Sequence, residues 1–254
     1  MMNPGRRSRQ DKVLEHIITA YIELGAPVGS VVLRERANLD YSPATVRNIM
    51  AELEEIGFIA QPHTSAGRIP TDSGYRYYLD RIMEPEAVTE SDKDKIYHVC
   101  DSAKDELENL LEKMSRLLSE ISSEASLLLF PKFGKNTSKE TKLVSFDWYH
   151  LFEQPEFKDT SKTNRLLKVI EEKEELLDSA EDGITGKEVR VFIGVENRCI
   201  QIKDCSVILS GLRARDEEAG AIGVIGHTRM PYKRVVPVVD FIAKQIDEVF
   251  EGAD

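Results

Sequence analysis

The sequence predicts an α+β chain in which a small helical unit carrying a short hairpin precedes a unit built on a sheet. Apolar residues recur at three- and four-residue spacing along most of the chain up to Leu128, and short β-branched runs separated by turn residues follow Gly186. The third observation is size. With 254 residues, 41% hydrophobic and only 7% aromatic, the chain suits two modest domains better than one large enzyme core.

In "SRQDKVLEHIITAYIELG", Val13, Ile17 and Tyr21, with Leu14, Ile18 and Ile22 beside them, form one helical face that Gly25 and Pro27 end. "VGSVVLRERANL" gives a short second helix, with Ser30 as its cap and Val32, Leu33 and Ala37 available for burial. Ser42 before Pro43 is a strong start for a third helix, because Ser caps free amide donors and Pro fits the first helical position. That helix runs to about Ile56, where Gly57 stops it. "FIAQ" and "RIPT" pair as strands across "PHTSAG", and Thr71 or Asp72 caps a fourth helix.

From Ser102 to Leu128 the pattern predicts one long amphipathic helix, whose stripe includes Leu107, Leu111, Met114, Leu118 and Ile121. Such a stripe serves either as an intramolecular core face or as a dimerisation seam, and the spacing leaves both open. "FGKNTSKETK" reads as a polar linker and "KVIEEKEELLDSAEDG" as a charged helix with a solvated face. "EVRVFIG", "CSVILS" and "AGAIGVIG" read as strands, and "YKRVVPVVDFIAKQIDEVF" as a closing helix with Pro237 near its start.

The net charge of -11 excludes a polycation that coats nucleic acid. Residues 1 to 80 carry nine Lys plus Arg against ten Asp plus Glu, a net of -1, leaving -10 for the rest, so any DNA contact is local. Cys100, Cys199 and Cys205 form no CxxC pair and read as small buried hydrophobes in a reducing compartment. The start "MMNPGRRSRQDKVLEH" leads into no apolar run of signal-peptide length and no segment suits a bilayer, which predicts a cytoplasmic protein with no membrane partner.

Gly220, Gly223 and Gly226 do not have GxGxxG spacing, and close strand packing with a turn explains them better than a nucleotide site. His63, His98, His150 and His227 lack ligand spacing, so no metal site is expected. Nothing suggests a catalytic residue or a cofactor, and the chain does not read as an enzyme.

The third helix is the exception. If Val46, Ile49, Met50 and Leu53 face the core, Ala44, Asn48 and Ala51 face outward, with Thr45 and Arg47 on the flanks. That small, polar, singly basic face suits a major groove, where Asn reads adenine and Arg takes guanine or phosphate. An ordinary solvent face fits the helix alone equally well. The hairpin favours DNA: Thr64, Ser65 and Arg68 surround a Gly-containing turn, as a wing along a phosphate backbone requires, and Arg6, Arg7 and Arg9 offer a basic arm.

The runs "GAPVGS", "SPATVRNIMAELEEIGFIAQPHTSAGRIPTDSGYRYYLD", "EQPEF", "VRVFIG", "CSVILS" and "GVIGHTRMPYKRVVPVVDFIA" together closely resemble HrcA, the heat-inducible transcription repressor family of bacteria. The resemblance is strong over residues 10 to 80 and good over 184 to 250. It implies a winged helix-turn-helix at residues 1–83, a linker and amphipathic helix at 84–126, and a reduced GAF-like domain without catalytic role at 127–254. It further implies a homodimer that binds an inverted repeat in double-stranded DNA, the CIRCE element ahead of chaperone operons, with activity supported by the GroE chaperonin.

Two departures stand out. Family members carry a substantial segment between the strands resembling "SLLLF" and "KLVSF", with further strands and a dimerisation region, whereas this chain has only a short linker around Lys132 to Thr141. They also commonly have a basic residue at the place of Val31, which predicts one phosphate contact fewer. Ser42, Thr45, Arg47 and Asn48 are the expected groove residues, and Thr64, Ser65 and Arg68 the expected wing residues. Two rivals remain: a winged-helix regulator that senses a small ligand, and a protein-interaction module that has lost specific DNA binding.

Overall fold

A computed structural model describes residues 4–37, 41–64, 66–102, 107–131, 141–145, 160–171, 188–197, 202–214 and 217–252. The chain divides into two compact units, Met1–Glu84 and Pro85–Asp254.

The first unit contains α1 (Pro4–Leu24), α2 (Ser30–Ala37), α3 (Pro43–Glu55), β1 (Ile59–Ala60), β2 (Ile69–Pro70) and α4 (Asp72–Arg81). Val13, Leu14, Ile17 and Ile18 of α1 are fully buried and meet Leu33, Val46 and Leu53 in one core, so the expected helical face is the one used. Gly25 has φ 62° and ends α1 in the left-handed region, which an L side chain enters only with strain.

Arg6, Arg7 and Arg9, the expected basic arm, lie in the first turns of α1, where Pro4 fits a first helical position and no breaker follows Gly5. Two expectations for this unit need correction. Ser30 is the first residue of α2 rather than its cap: the Gly29 carbonyl already accepts the Leu33 amide at 2.9 Å. Val32 is exposed, whereas Val28 in the preceding turn is fully buried.

β1 and β2 pair antiparallel, Ile59 opposite Pro70 and Ala60 opposite Ile69. The Thr71 side chain caps α4 by accepting the Gly74 amide at 3.1 Å. Gly74 lies so close to Phe58 that an added Cβ would run into the Phe58 carbonyl oxygen. Phe58 stacks on Tyr77 at 4.6 Å between ring centroids, and the Tyr77 hydroxyl donates to Asp11 at 2.9 Å, which fastens α4 to α1.

The second unit holds α5 (Glu90–Ser102), α6 (Leu107–Ser122), β3 (Ala125–Pro131), β4 (Thr141–Ser145), α7 (Thr160–Glu171), β5 (Arg190–Ile193), a 3-10 turn (Gly194–Glu196), β6 (Cys205–Ala214), β7 (Glu217–His227) and α8 (Tyr232–Gly252). Its five strands run in the order β4-β3-β7-β6-β5, each pair antiparallel. α8 packs on β6 and β7, and α6 packs on β3 and against α5 and α8. The arrangement is compatible with the GAF-like fold that the family resemblance implied.

The long helix expected over Ser102–Leu128 is corrected. α6 ends at Ser122, where the Ser122 hydroxyl turns back to the Leu118 carbonyl at 2.7 Å and Ser123 takes φ 59°. Ala125, Leu127, Leu128 and Leu129 then form a strand buried on both faces, whose continuous apolar run periodicity alone does not separate from a helix. The stripe is corrected too: Leu111, Met114, Leu118 and Ile121 are buried in the core of their own unit, so they present no free dimerisation seam. The Leu107 side chain lies outside the described residues.

α5 was not anticipated, although Thr89 caps it by accepting the Asp92 amide at 3.1 Å and Ile96 and Cys100 are buried one turn apart. Lys95 of α5 bonds to Glu120 of α6 at 2.9 Å, and this hydrogen bond with its charge attraction raises the Lys95 pKa above the ordinary lysine value. The charged helix expected from Lys168 onward begins earlier, at Thr160, and residues 172–187 lie outside the described residues.

Gly220, Gly223 and Gly226 all sit in β7. A Cβ at Gly223 would meet the Ile208 carbonyl of β6 and one at Gly226 the Glu124 carboxylate, so close packing accounts for both. Cys100 and Cys205 are buried, while Cys199 and His150 lie outside the described residues. Among the described residues no group of His, Cys, Asp and Glu suits a metal ion, and no helix is long and apolar enough to cross a membrane.

Candidate nucleic-acid interface

The interface is built around α3. Ser42 takes an extended backbone, φ -65° and ψ 153°, and its hydroxyl accepts the Thr45 amide at 3.1 Å while Pro43 occupies the first helical position. Ser42 and Thr45 hydroxyls also share a hydrogen bond of 2.9 Å. Val46, Ile49, Met50 and Leu53 are buried, as the sequence pattern predicts, and Ala44, Arg47, Asn48 and Ala51 are exposed, with Thr45 half-buried on the flank. The α3 face therefore offers one guanidinium, one carboxamide and one hydroxyl between two small methyl groups. Such a surface lets a helix approach base edges closely, and both Arg and Asn can bond bases in pairs.

Arg9 of α1 brings a second cation toward the start of α3. Its guanidinium carbon lies 5.8 Å from the centre of the Tyr41 ring, immediately before the Ser42 cap. That is within the range in which a ring face attracts a cation. The side chains of Arg6 and Arg7 lie outside the described residues.

The wing is held at several points. Val28 and Arg68 exchange backbone hydrogen bonds of 2.8 and 2.9 Å, adding the connection before α2 as a third strand-like pass beside β2. Gly67 makes this possible: a Cβ there would lie 2.5 Å from the Val28 carbonyl carbon. At the turn the Ala66 amide donates to the His63 carbonyl at 2.8 Å, and the Gln61 side-chain amide donates to the Thr64 and Ala66 carbonyls, both at 3.0 Å. Pro62, His63 and Thr64 are exposed at the tip, while Ser65 lies outside the described residues.

Arg68, an expected wing contact, is also bonded within the protein. Its Nε and Nη2 donate to one oxygen of Glu54 at 3.0 and 2.8 Å, so the guanidinium joins the base of the wing to the last turn of α3. Sequence spacing placed Arg68 near a turn without indicating that Glu54, fourteen positions earlier, would face it. The same packing disposes of another acidic group: Gln10 donates to Glu52 at 2.8 Å. Gln61, Glu54 and Tyr41 are thus interface-shaping residues that the sequence reading missed.

Comparison with known proteins gives this geometry a family. A family model described as the HrcA protein C terminal domain matches residues 148–236. The heat-inducible transcription repressor HrcA of Geobacter sulfurreducens is 28% identical over 335 positions, covering 96% of this chain and 98% of its own. That of Syntrophobacter fumaroxidans is 30% identical over 339 positions, covering 96% of this chain and 97% of its own. The chain belongs to the HrcA family of transcription repressors. HrcA proteins are named as regulators, not enzymes, in agreement with the absence of any catalytic expectation.

The same alignments reveal the shortening. The 339 positions shared with the Syntrophobacter HrcA exceed the 254 residues of this chain, so at least 85 of them are gaps here. Among solved structures, a crystal structure described only as that of a hypothetical protein superposes with a TM-score of 0.75 at 19% identity, covering 100% of both chains. At that identity the likeness concerns the fold.

Proposed function

We propose that the chain is a DNA-binding repressor of heat-shock chaperone operons that recognises the CIRCE inverted repeat as a dimer, its active state supported by the GroE chaperonin. The observation that carries this reading is the exposed α3 face of Ala44, Arg47, Asn48 and Ala51, with Thr45 half-buried on its flank, in one unit with the β1–β2 hairpin. In this reading the first turns of α3 enter the major groove, with Arg47 and Asn48 at base edges and Thr45 at a base or phosphate. Thr64 and Ser65 follow the backbone from the wing, and Arg6, Arg7 and Arg9 add cations from the first turns of α1. Ser42 acts as the cap that fixes the register of that helix start. Two copies related by a two-fold axis match the two halves of an inverted repeat.

Charge supports the assignment of roles within α3. Glu52 and Glu54, on its later turns, are bonded to Gln10 and Arg68, so their carboxylates are engaged inside the protein. A helix that enters a groove by its first turns keeps these groups away from phosphate. The Val31 position is exposed and apolar, and the expected consequence is a weaker grip on the backbone than a basic residue would give.

The test is fluorescence anisotropy of the purified chain with a duplex carrying the CIRCE repeat and a scrambled duplex, at two salt concentrations. The reading expects preference for the repeat and two chains per duplex. Equal affinity for both duplexes, unchanged when GroE is added, refutes it.

A further inference from the structure

The wing contains a side-chain clamp whose consequence is specific to recognition. Gln61 leaves β1 and sends both hydrogens of its carboxamide to carbonyls on either side of position 65, Thr64 at 3.0 Å and Ala66 at 3.0 Å. The Gln61 side chain is half-buried and Thr64 is exposed. No regular strand pairing is available to those carbonyls, because β1 and β2 are only two residues each. Among the described residues of the tip, the Ala66 amide also donates to the His63 carbonyl at 2.8 Å, closing a single turn. Without Gln61, the described part of the loop would keep that bond and the Val28–Arg68 pairing at its base.

The geometry points to Gln61 as the positioning residue that presets the wing tip for DNA. This inference rests on the DNA-binding reading and assigns it a residue that touches no base or phosphate. A carboxamide is suited to the task because it supplies two donors from one planar group, whereas Ser supplies one and a carboxylate none. The carbonyls it engages flank the tip, so holding them fixes the direction in which Thr64 presents its hydroxyl. An ordered tip meets the duplex without first losing conformational freedom, and the gain is realised only on binding.

The experiment uses the full chain and three variants, Gln61→Ala, Thr64→Ala and the double substitution. Amide hydrogen exchange at Ala66 reads the clamp without DNA, and anisotropy against the CIRCE-repeat and scrambled duplexes reads recognition. We expect Gln61→Ala to speed Ala66 exchange at least about tenfold and to weaken binding to the repeat about fivefold, the range that loss of one or two neutral hydrogen bonds gives. The decisive result is non-additivity: Thr64→Ala should cost affinity in the native background and little once Gln61 is gone. A purely structural role would leave the two effects additive.

Unchanged Ala66 exchange, additive losses, or faster exchange with native affinity would each overturn the inference. A native chain that binds neither duplex, with or without GroE, refutes the DNA-binding reading instead, and the exchange arm then still decides whether Gln61 orders the tip.

Discussion

Replacing Glu54 by Gln and Arg68 by Ala, singly and together, separates two roles for the same guanidinium. The pair joins α3 to the wing through two N–H donors on one carboxylate oxygen, and the side chains keep 22% and 36% of their exposure for Arg68 and Glu54. Solvent screening at that exposure leaves a coupling of about 1 kcal/mol, toward the upper end for a surface ion pair. In a unit of fewer than 100 residues this lowers the melting temperature by roughly 4 to 8 °C. Calorimetry of each variant gives the stability arm. The DNA arm is the dependence of log affinity on log salt, which falls by about 0.9 for each phosphate contact removed. If Arg68 is a brace, Arg68→Ala lowers stability and leaves the salt slope intact, and Glu54→Gln reproduces the stability loss. A slope reduced by about one with unchanged melting would refute the brace and return Arg68 to the phosphate backbone.

Arg47→Ala should weaken binding to the CIRCE repeat by about 1 to 3 kcal/mol if the residue reads a base, and an equal loss on scrambled DNA in the same anisotropy assay would make it a phosphate contact. Ser42→Ala removes the cap of α3 and should destabilise the first unit by about 0.5 to 2 kcal/mol in denaturant titration, with Ser42→Gly costing less. Leu111→Asp with Leu118→Asp places two carboxylates among buried side chains, so circular dichroism should report loss of folded structure in the second unit. A folded monomer from that double variant would restore the stripe to the role of a dimerisation seam.

Local signals made the first unit readable. The Ser42–Pro43 start, the Gly57 stop and the burial of Val46, Ile49, Met50 and Leu53 all follow from helix geometry and caps, which act over a few residues. The outward face of α3 was legible for the same reason. What was not legible depends on contacts distant in sequence. Arg68 finds Glu54 and Gln10 finds Glu52 only after the chain has folded, and no spacing rule indicates such partners. Val28 is buried while Val32 is exposed, and the backbone of Val28 pairs with Arg68 of the wing, a partner far along the chain. In the second unit the apolar run beyond Ile121 continues helical spacing by coincidence, and the chain leaves the helix at Ser123, whose φ of 59° no Gly marks in the sequence. α5 is hard to read in the sequence because its apolar positions are few and its first turn is acidic and polar.

The bridge between Val28 and Arg68 bears on how this domain can be altered. Gly25 to Gly29 has the composition of a permissive surface loop, the place where a tag or a few extra residues are usually tolerated. Here the backbone of that loop forms a rung of the wing ladder and presses against Gly67. Lengthening it would pull the rung out of register and tilt the wing, although no residue expected to touch DNA had changed. Safer sites for a label or a fusion lie where the backbone carries no such partner, and the loop between the first two helices belongs in practice to the recognition apparatus.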